Sequence, residues 1–187
     1  MCSTEPTHRY QDFSAKARCF DAAPLAAVLA HLGAHFIGTD HQRDTYYATS
    51  RGKLKLREGN IEHILIHYER LPDAHGLERT HVYRYDQHPS PELLNEVLTN
   101  RSVLGIVEKT RCIYRLGHIK IHLDSFATGE QFVEVEVQDH LGQRTLKQLR
   151  AECLEFLQRL GISPSELLNN GYLPQLKVPG ATKRLLS

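Results

Sequence analysis

In the stretch Lys53-Leu54-Lys55-Leu56-Arg57, charged and apolar residues alternate without a break. Strict alternation predicts a β-strand, in which successive side chains point to opposite faces. One face of this strand would carry leucines and the other face cations. The same alternation recurs along the middle of the chain, so the sequence predicts a protein built mainly from strands.

Further segments of the chain carry strand signals of the same kind. The clearest alternation lies in segments 107–114, 118–124 and 132–137. Further candidate strands are segments 11–20, 41–48, 63–70 and 77–85.

Helical signals fall between and after these strands. Asp21 can cap a helix over 22–32, and Thr145 can open a longer one over 146–160. Ser90, with a proline after it, opens a predicted helix over 92–98.

A short fourth helix is predicted from Ser163 to near Gly171. Since no linker divides the chain, we expect one domain over residues 1–187. We expect the tails, 1–9 and 178–187, to be flexible.

Charged residues share one parity within each predicted strand, and basic strands alternate with acidic ones. The sets are Asp12, Ser14, Lys16 and Arg18; Lys53, Lys55 and Arg57; Lys109, Arg111 and Arg115; His118, Lys120, His122 and Asp124; and Glu134 and Glu136. In a closed barrel these positions would face the lumen, which could hold a polyphosphate and its metal, and the core would lie outside, under the helices. The other interpretation is an ordinary solvated charged face. Periodicity alone does not decide between them.

Composition sets outer limits on function. The 187 residues carry a net charge of +1, which gives no global field toward nucleic acid or an acidic membrane. No stretch is apolar enough for a membrane span. Four cysteines without zinc spacing favour a reduced, cytoplasmic protein in which they act as packing residues.

Twelve histidines are more than usual for this length. His118 and His122 lie four apart, as do His63 and His67, but neither pair has the His-Glu-x-x-His pattern of zinc proteases. Both pairs fall in strand-like sequence. We therefore interpret them as polar barrel or surface residues rather than metal ligands.

Six short motifs, in order, resemble those of the CYTH superfamily, and within it the class IV adenylyl cyclases. The likeness runs from about Gln11 to Leu176. The motifs are Asp12-Phe13-Ser14-Ala15-Lys16-Ala17-Arg18, Leu32-Gly33-Ala34, Gln42-Arg43-Asp44-Thr45-Tyr46-Tyr47, Arg51-Gly52-Lys53-Leu54-Lys55-Leu56-Arg57-Glu58, Lys109-Thr110-Arg111 with Ile121-His122-Leu123-Asp124, and Glu134-Val135-Glu136.

This resemblance implies an α+β fold: an eight-stranded antiparallel β-barrel, the triphosphate tunnel, with flanking helices. It implies phosphate binding by Lys16, Lys55, Arg57, Lys109 and Arg111, with Arg70, Arg84 and Lys120 as further anion ligands. It implies Mg²⁺ or Mn²⁺ held by Glu134 and Glu136, with Asp12 beside them. Lys16, Lys109, Arg111 and Asp124 would form the catalytic set, in which Asp124 orients a basic residue or lies near the reacting end of the nucleotide.

Family members cyclise ATP to cyclic AMP and pyrophosphate, or hydrolyse thiamine triphosphate or inorganic triphosphate. The resemblance is greatest to the cyclases, so we expect a nucleoside triphosphate as ligand, with a triphosphatase as the alternative. Another phosphorylated ligand, bound by a repurposed tunnel, is a third reading. Cyclase-like members are often dimers, and we expect a homodimer here.

The chain departs from the family at two positions. Ser14 stands where the opening motif has its most regular glutamate, and Pro174 replaces an aspartate near the end. A serine hydroxyl is a poorer ligand than a carboxylate for a hard dication. Three accounts stay open: Asp12 substitutes for the lost glutamate, one metal suffices, or the chemistry has changed.

Overall fold

A computed structural model describes residues 10–19, 21–73 and 76–168. The predicted tails, the end of the fourth predicted helix and the motif position of Pro174 lie outside these residues.

The strands found within the described residues pair into one antiparallel sheet that closes on itself. The order around the closed barrel is β1-β5-β4-β3-β2-β6-β7-β8. This confirms the predicted ring of eight antiparallel strands. The strands are β1 (Gln11–Cys19), β2 (His35–Tyr47), β3 (Lys53–Glu58), β4 (His63–Pro72), β5 (Glu78–Gln87), β6 (Val103–Leu116), β7 (Ile119–Ser125) and β8 (Gln131–Asp139).

Two strands begin earlier than the sequence predicts. β2 starts at His35 instead of residue 41, and β6 starts at Val103 instead of residue 107. The two pair with each other along nearly their whole length. Cross-strand hydrogen bonds therefore extend both strands into segments that lack alternation, such as the neighbouring Phe36 and Ile37.

In the part of the chain that the structure describes, three α-helices flank the ring: α1 (Ala22–His31), α2 (Pro91–Leu98) and α3 (Leu146–Arg159). The predicted caps are present, since Asp21 and Ser90 accept backbone N–H groups and Thr145 forms a capping box.

The predicted fourth helix is wrong in the part that the structure describes. Only a 3-10 turn forms, over Pro164–Glu166. The chain then pairs with β1, because Leu167 bridges Ala17 and the N–H of Leu168 donates to the carbonyl of Lys16.

The main hydrophobic core lies outside the ring, between the sheet and the helices. Ile121, Val133 and Val135 pack there against Phe156 and Leu157 of α3. The leucines of β3 pack elsewhere on the outer face, beneath α2. Helices thus cover apolar faces of β1, β3, β7 and β8, and the charged faces of these strands point inward. The structure decides in favour of a charged lumen.

No helix in the described segments is long and apolar enough to cross a membrane. Among the same residues, Cys19, Cys112 and Cys153 are free thiols. Cys153 is fully buried in the main core. Its position fits the packing role expected for the cysteines.

Candidate functional site

The inward faces of the strands enclose a cavity inside the ring. Among the described residues, seven basic and five acidic side chains line this cavity, so they give it a surplus of positive charge. They are Lys16, Lys53, Lys55, Arg57, Arg70, Arg111 and Lys120, with Asp12, Asp44, Glu62, Glu134 and Glu136.

Strand register places opposite charges side by side. Asp44 of β2 lies across from Arg57 of β3, and Glu134 of β8 lies across from Lys16 of β1. Lys109 shares the inward face of β6 with Arg111, two residues away. The alternation visible in the sequence therefore becomes a lumen in which the buried carboxylates of Asp44 and Glu134 each meet several cations.

One group of four residues, the Asp44 cluster, comprises Asp44, Lys55, Arg57 and Lys109. Arg57 donates to both Asp44 oxygens, at 2.7 and 2.9 Å. Lys109 and Lys55 donate to the same carboxylate, at 2.7 and 3.3 Å. Burial alone would raise the pKa of Asp44, but these three cations hold it well below its usual range.

The amines of the Asp44 cluster are shifted in the other direction. Burial lowers the pKa of Lys109 to about 8, although Asp44 partly opposes the change. Burial and the neighbouring Arg57 also lower the pKa of Lys55 well below its usual value. Both amines are crowded cations, and an anion with more charge than one carboxylate would stabilise them.

A second group, the Glu134 cluster, comprises Glu134, Lys16, Arg70 and Arg111. Lys16 and Arg70 donate to Oε1 of Glu134, at 3.0 and 3.1 Å, and Arg111 donates to Oε2 at 2.9 Å. Burial alone would raise the pKa of Glu134, but Lys16, a hydrogen bond from His122, Arg70 and Arg111 hold it well below its usual range.

Asp124 fixes the guanidinium of Arg111. Two hydrogen bonds of 2.6 Å join Nε and Nη2 of Arg111 to the two oxygens of Asp124. A bidentate pair of this kind sets the plane of the guanidinium as well as its position. This placement fits the expected orienting role of Asp124.

Glu62 is a site residue that sequence reasoning missed. It lies in the loop between β3 and β4 and accepts hydrogen bonds from Arg57, Gln42 and Lys120. Asp40 holds this loop by accepting the N–H groups of Ile61 and Glu62. Contacts between residues about twenty positions apart in the sequence do not affect local periodicity, so no sequence signal identified Glu62.

The loop requires glycine at position 59. A Cβ at Gly59 would lie 2.6 Å from both carboxylate oxygens of the fully buried Asp40. Any side chain there would displace Asp40, and with it the loop that carries Glu62 into the cavity.

The predicted metal residues lie together at one corner of the cavity. Oδ1 of Asp12 is buried and has no hydrogen-bond partner among the described residues. Burial, followed by the charge of Glu136, raises the pKa of Asp12 well above its usual value. Two crowded carboxylates with an unsatisfied buried oxygen fit a divalent cation, which would take oxygen ligands and relieve the repulsion.

His122 lies beside these carboxylates, on the inward face of β7. Its Nδ1 is 3.4 Å from Oε2 of Glu134, and its Nε2 has no partner among the described residues. Burial and the charge of Arg111 lower the pKa of His122 to about 4, so its ring is neutral at pH 7. Potential ligand atoms of His122, Glu134 and Glu136 all lie within 4.8 Å of one another.

Arg84 was predicted to bind phosphate, but it lies outside the tunnel, and that expectation is corrected. It pairs across the sheet with His67, whose ring faces outward toward Arg51, and its Nε donates to Asp86 at 2.6 Å. A register shift in the β4–β5 pairing changes which residues of β5 face inward. Tyr68 pairs with Val82, but its neighbour His67 pairs with Arg84, so one residue of β5 is skipped between them. Simple alternation could not show this bulge.

His118 also lies outside the tunnel, because its Nε2 contacts Glu152 of α3 at 2.5 Å. The remaining predicted residues share the inward face. Lys120 reaches the cavity and pairs with Glu62, while Lys16, Lys55, Arg57, Arg70, Lys109 and Arg111 converge on Asp44 and Glu134.

One wall of the cavity is apolar and aromatic. Ile64, Ile66 and Tyr68 of β4 line it together with Tyr85 and Tyr10. The rings of Tyr10 and Tyr85 meet edge to face, with centroids 5.7 Å apart. Sequence reasoning missed this wall because Ile64, Leu65 and Ile66 form an unbroken apolar run, in which neither face stands out.

A closed antiparallel ring with cations and carboxylates converging in its lumen defines a tunnel fold with a charged interior. Comparison with known families identifies the tunnel further. The CYTH domain profile matches residues 15–172, so the chain belongs to the CYTH domain family. No curated protein matches the sequence significantly.

Solved structures share the fold. The PH1012 protein of Pyrococcus horikoshii has a TM-score of 0.70 at 22% identity, over 87% of this chain and 98% of its own. A candidate adenylate cyclase of Vibrio parahaemolyticus has a TM-score of 0.68 at 17% sequence identity, and the match covers 90% of this chain and 97% of that protein. The candidate adenylyl cyclase HpAC1 of Hippeastrum has a TM-score of 0.52 at 14% sequence identity, and the match covers 81% of this chain and 88% of that protein. The structure of HpAC1 reveals a dominant triphosphatase activity.

Proposed function

We propose that the tunnel binds and converts a nucleoside triphosphate together with a divalent metal ion, with cyclisation of ATP to cyclic AMP and pyrophosphate as the reaction. The observation that carries this proposal is the convergence of six cations on two buried carboxylates, Asp44 and Glu134. Members of the CYTH family generally act on triphosphates, which agrees with this charge pattern.

The phosphate groups would replace the carboxylates as partners of the cations. A triphosphate carries several negative charges, whereas Asp44 and Glu134 carry one each. Arg57 and Arg111 offer planar, bidentate donors, and Lys16, Lys55 and Lys109 offer compact point charges. The surplus of basic side chains along the cavity supports an anion with more charge than the walls supply.

The apolar wall supports an organic rather than an inorganic triphosphate. Ile64, Ile66 and Tyr68 can cover a base or sugar, and Tyr85 and Tyr10 extend this surface. Inorganic triphosphate has no apolar part for such a wall to contact. Aromatic and aliphatic side chains with a few polar groups are the usual lining of sites for organic ligands.

Glu134 and Glu136, with Asp12, would hold Mg²⁺ or Mn²⁺, which neutralises phosphate charge when bound. In cyclisation the ribose 3′-oxygen bonds to the α-phosphorus, the hydroxyl proton passes to solvent, and the bond to the pyrophosphate oxygen breaks. Lys16, Lys109 and Arg111 would hold the phosphates in line. Asp124 would act as a positioning residue for Arg111. Catalysis of this kind depends mainly on positioning and charge neutralisation.

Product analysis after incubation with ATP and Mn²⁺ tests the proposal. We expect cyclic AMP and pyrophosphate from the wild-type protein and at least tenfold less from Lys109→Ala. Lys147→Ala, at an exposed lysine of α3, is the matched control and should act like the wild type. No product at high protein concentration, or equal rates in the two variants, would contradict the proposal.

Triphosphate hydrolysis is the second candidate. The loss of a motif carboxylate at Ser14 changes the metal corner, and HpAC1 shows that a fold-mate considered as a cyclase can act mainly as a triphosphatase. The same assay separates the two reactions, since hydrolysis gives ADP and phosphate without cyclic AMP.

A further inference from the structure

The two strands beside β8 offer different ligands to its carboxylates. On the β1 side, Ser14 lies across from Glu136 and Lys16 lies across from Glu134. On the β7 side, Lys120 lies across from Glu136 and His122 lies across from Glu134. Of these four neighbours, the histidine is the one strong neutral donor for a metal.

The serine is directed elsewhere. The Ser14 hydroxyl donates to the backbone carbonyl of Glu78 at 3.4 Å, and the side chain is 1% exposed. β1 therefore gives no carboxylate opposite Glu136. Among the described residues, His122 of β7 is grouped with Glu134 and Glu136 at a spacing that suits a metal ion, and Asp12 lies near Glu136.

His122 has the position that such a ligand needs. The residue is 1% exposed, and a ring nitrogen lies within 4.8 Å of ligand oxygens on both Glu134 and Glu136. Small side-chain shifts would bring a group of this spacing to the bond lengths of about 2.0–2.2 Å that one ion needs. Nε2 of His122 is buried without a hydrogen-bond partner among the described residues, which is costly in a folded protein, and coordination through Nε2 would remove that cost.

We propose that His122 is a direct ligand of the tunnel's divalent ion and takes the place of the carboxylate that the opening motif lacks at Ser14. This inference takes from the proposed function only that the tunnel binds a divalent ion, and it does not depend on which reaction follows. An imidazole beside carboxylates favours Mn²⁺, Co²⁺ or Zn²⁺, whereas Mg²⁺ prefers oxygen ligands throughout. The substitution at Ser14 thus shifts the metal preference of the site instead of abolishing the site.

Electron spin-echo spectroscopy of the full chain with one equivalent of Mn²⁺ tests this assignment, because a coordinated imidazole nitrogen modulates the echo. We expect nitrogen modulation in the wild-type protein and its loss in His122→Gln. His118→Gln removes a histidine that faces α3 and is the matched control. It should keep the modulation.

Calorimetric titrations with Mn²⁺ and Mg²⁺ give a second readout. We expect His122→Gln to weaken Mn²⁺ binding at least tenfold and to change Mg²⁺ binding by no more than about twofold. Equal losses for both ions would overturn the assignment, since they would mean that His122 only positions Glu134.

The wild-type spectrum decides the matter even if His122→Gln does not fold. Bound Mn²⁺ without nitrogen modulation, or no Mn²⁺ binding, overturns the inference. ATP turnover is not part of the readout. An inactive protein that shows the modulation would therefore contradict the proposed function alone.

Discussion

The Asp44 cluster and the Glu134 cluster each surround one buried carboxylate with three cations, yet their surroundings differ. All polar side-chain atoms of the Asp44 cluster have partners. In the Glu134 cluster, Nε of Arg70 has none among the described residues. The adjoining Asp12 and His122 each have one buried atom in the same condition.

This difference divides the tunnel into two halves. The Asp44 cluster is complete without a ligand and can exchange its carboxylate for a phosphate. The corner beside the Glu134 cluster has unsatisfied donors and acceptors, crowded carboxylates and a neutral histidine. We infer that the first half binds most of the anion, which also reaches Lys16 and Arg111, and that the corner in the second half binds the cation that accompanies it.

The largest effect is expected from Asp44→Ala. The change leaves Lys55, Arg57 and Lys109 buried without their shared carboxylate. Breaking a buried network in this way costs about 3–5 kcal/mol of unfolding free energy. Urea unfolding measures the loss, and added tripolyphosphate should restore part of it.

Asp86→Ala is the matched control, because Asp86 pairs with Arg84 outside the tunnel. That change should cost no more than about 1 kcal/mol. Similar losses in the two variants would show that the Asp44 cluster is not a special feature of the lumen.

A second test concerns the cation half and replaces Ser14 with glutamate. The new carboxylate lies near Asp12 and Glu136, so we expect lower stability without metal and Mg²⁺ binding about tenfold tighter, or about 1.4 kcal/mol. Ser14→Gln has the same size without the charge and should not tighten Mg²⁺ binding. Equal affinities in the two variants, measured by calorimetry, would contradict the division into halves.

The anion half should respond to alkaline pH through Lys109. Its pKa in the folded chain is about 8, below the ordinary 10.5, so the unfolded chain binds more protons between these values. Stability should therefore rise with pH, by up to about 1 kcal/mol between about pH 8 and 9. Over the same range, tripolyphosphate affinity should fall about threefold or more, because the bound anion needs the charged amine.

Lys109→Arg sharpens this test, since arginine keeps its charge over the whole range. The variant should show a weaker pH dependence of both stability and anion affinity. If its pH profiles match those of the wild-type protein, Lys109 is not the group responsible.

The smallest effect is expected from Arg84→Ala, which changes an arginine outside the tunnel. ATP affinity should stay within about twofold of the wild type, whereas Arg57→Ala should lower it tenfold or more. A large loss in Arg84→Ala, measured by the same binding titration, would contradict the outward placement of that residue.

Local alternation was sufficient to predict the strands that carry most of the site. Lys53–Glu58 and Ile119–Ser125 alternate cleanly, because one face meets helices and the other faces the lumen. This pattern does not show whether the charged faces point inward, because a charged face in contact with solvent has the same period of two residues. Closure of the sheet depends on pairing between distant strands, such as β1 with β5.

The errors in the predicted site have the same physical origin. Arg84 was assigned from the family resemblance, outside the matched motifs, and a bulge turns it outward. Glu62 was missed because Asp40 fixes its loop from a distant strand. Both features depend on cross-strand geometry. The residues predicted from family motifs, such as Lys16 and Arg111, avoid the problem because a motif retains the outcome of that geometry.

Calorimetric titration of the wild-type protein with tripolyphosphate in EDTA measures whether the tunnel binds an anion in its own right. We expect binding of one anion per chain without metal, and at least tenfold weaker binding in Lys109→Ala. No binding in EDTA, or binding that Lys109→Ala leaves unchanged, would contradict it.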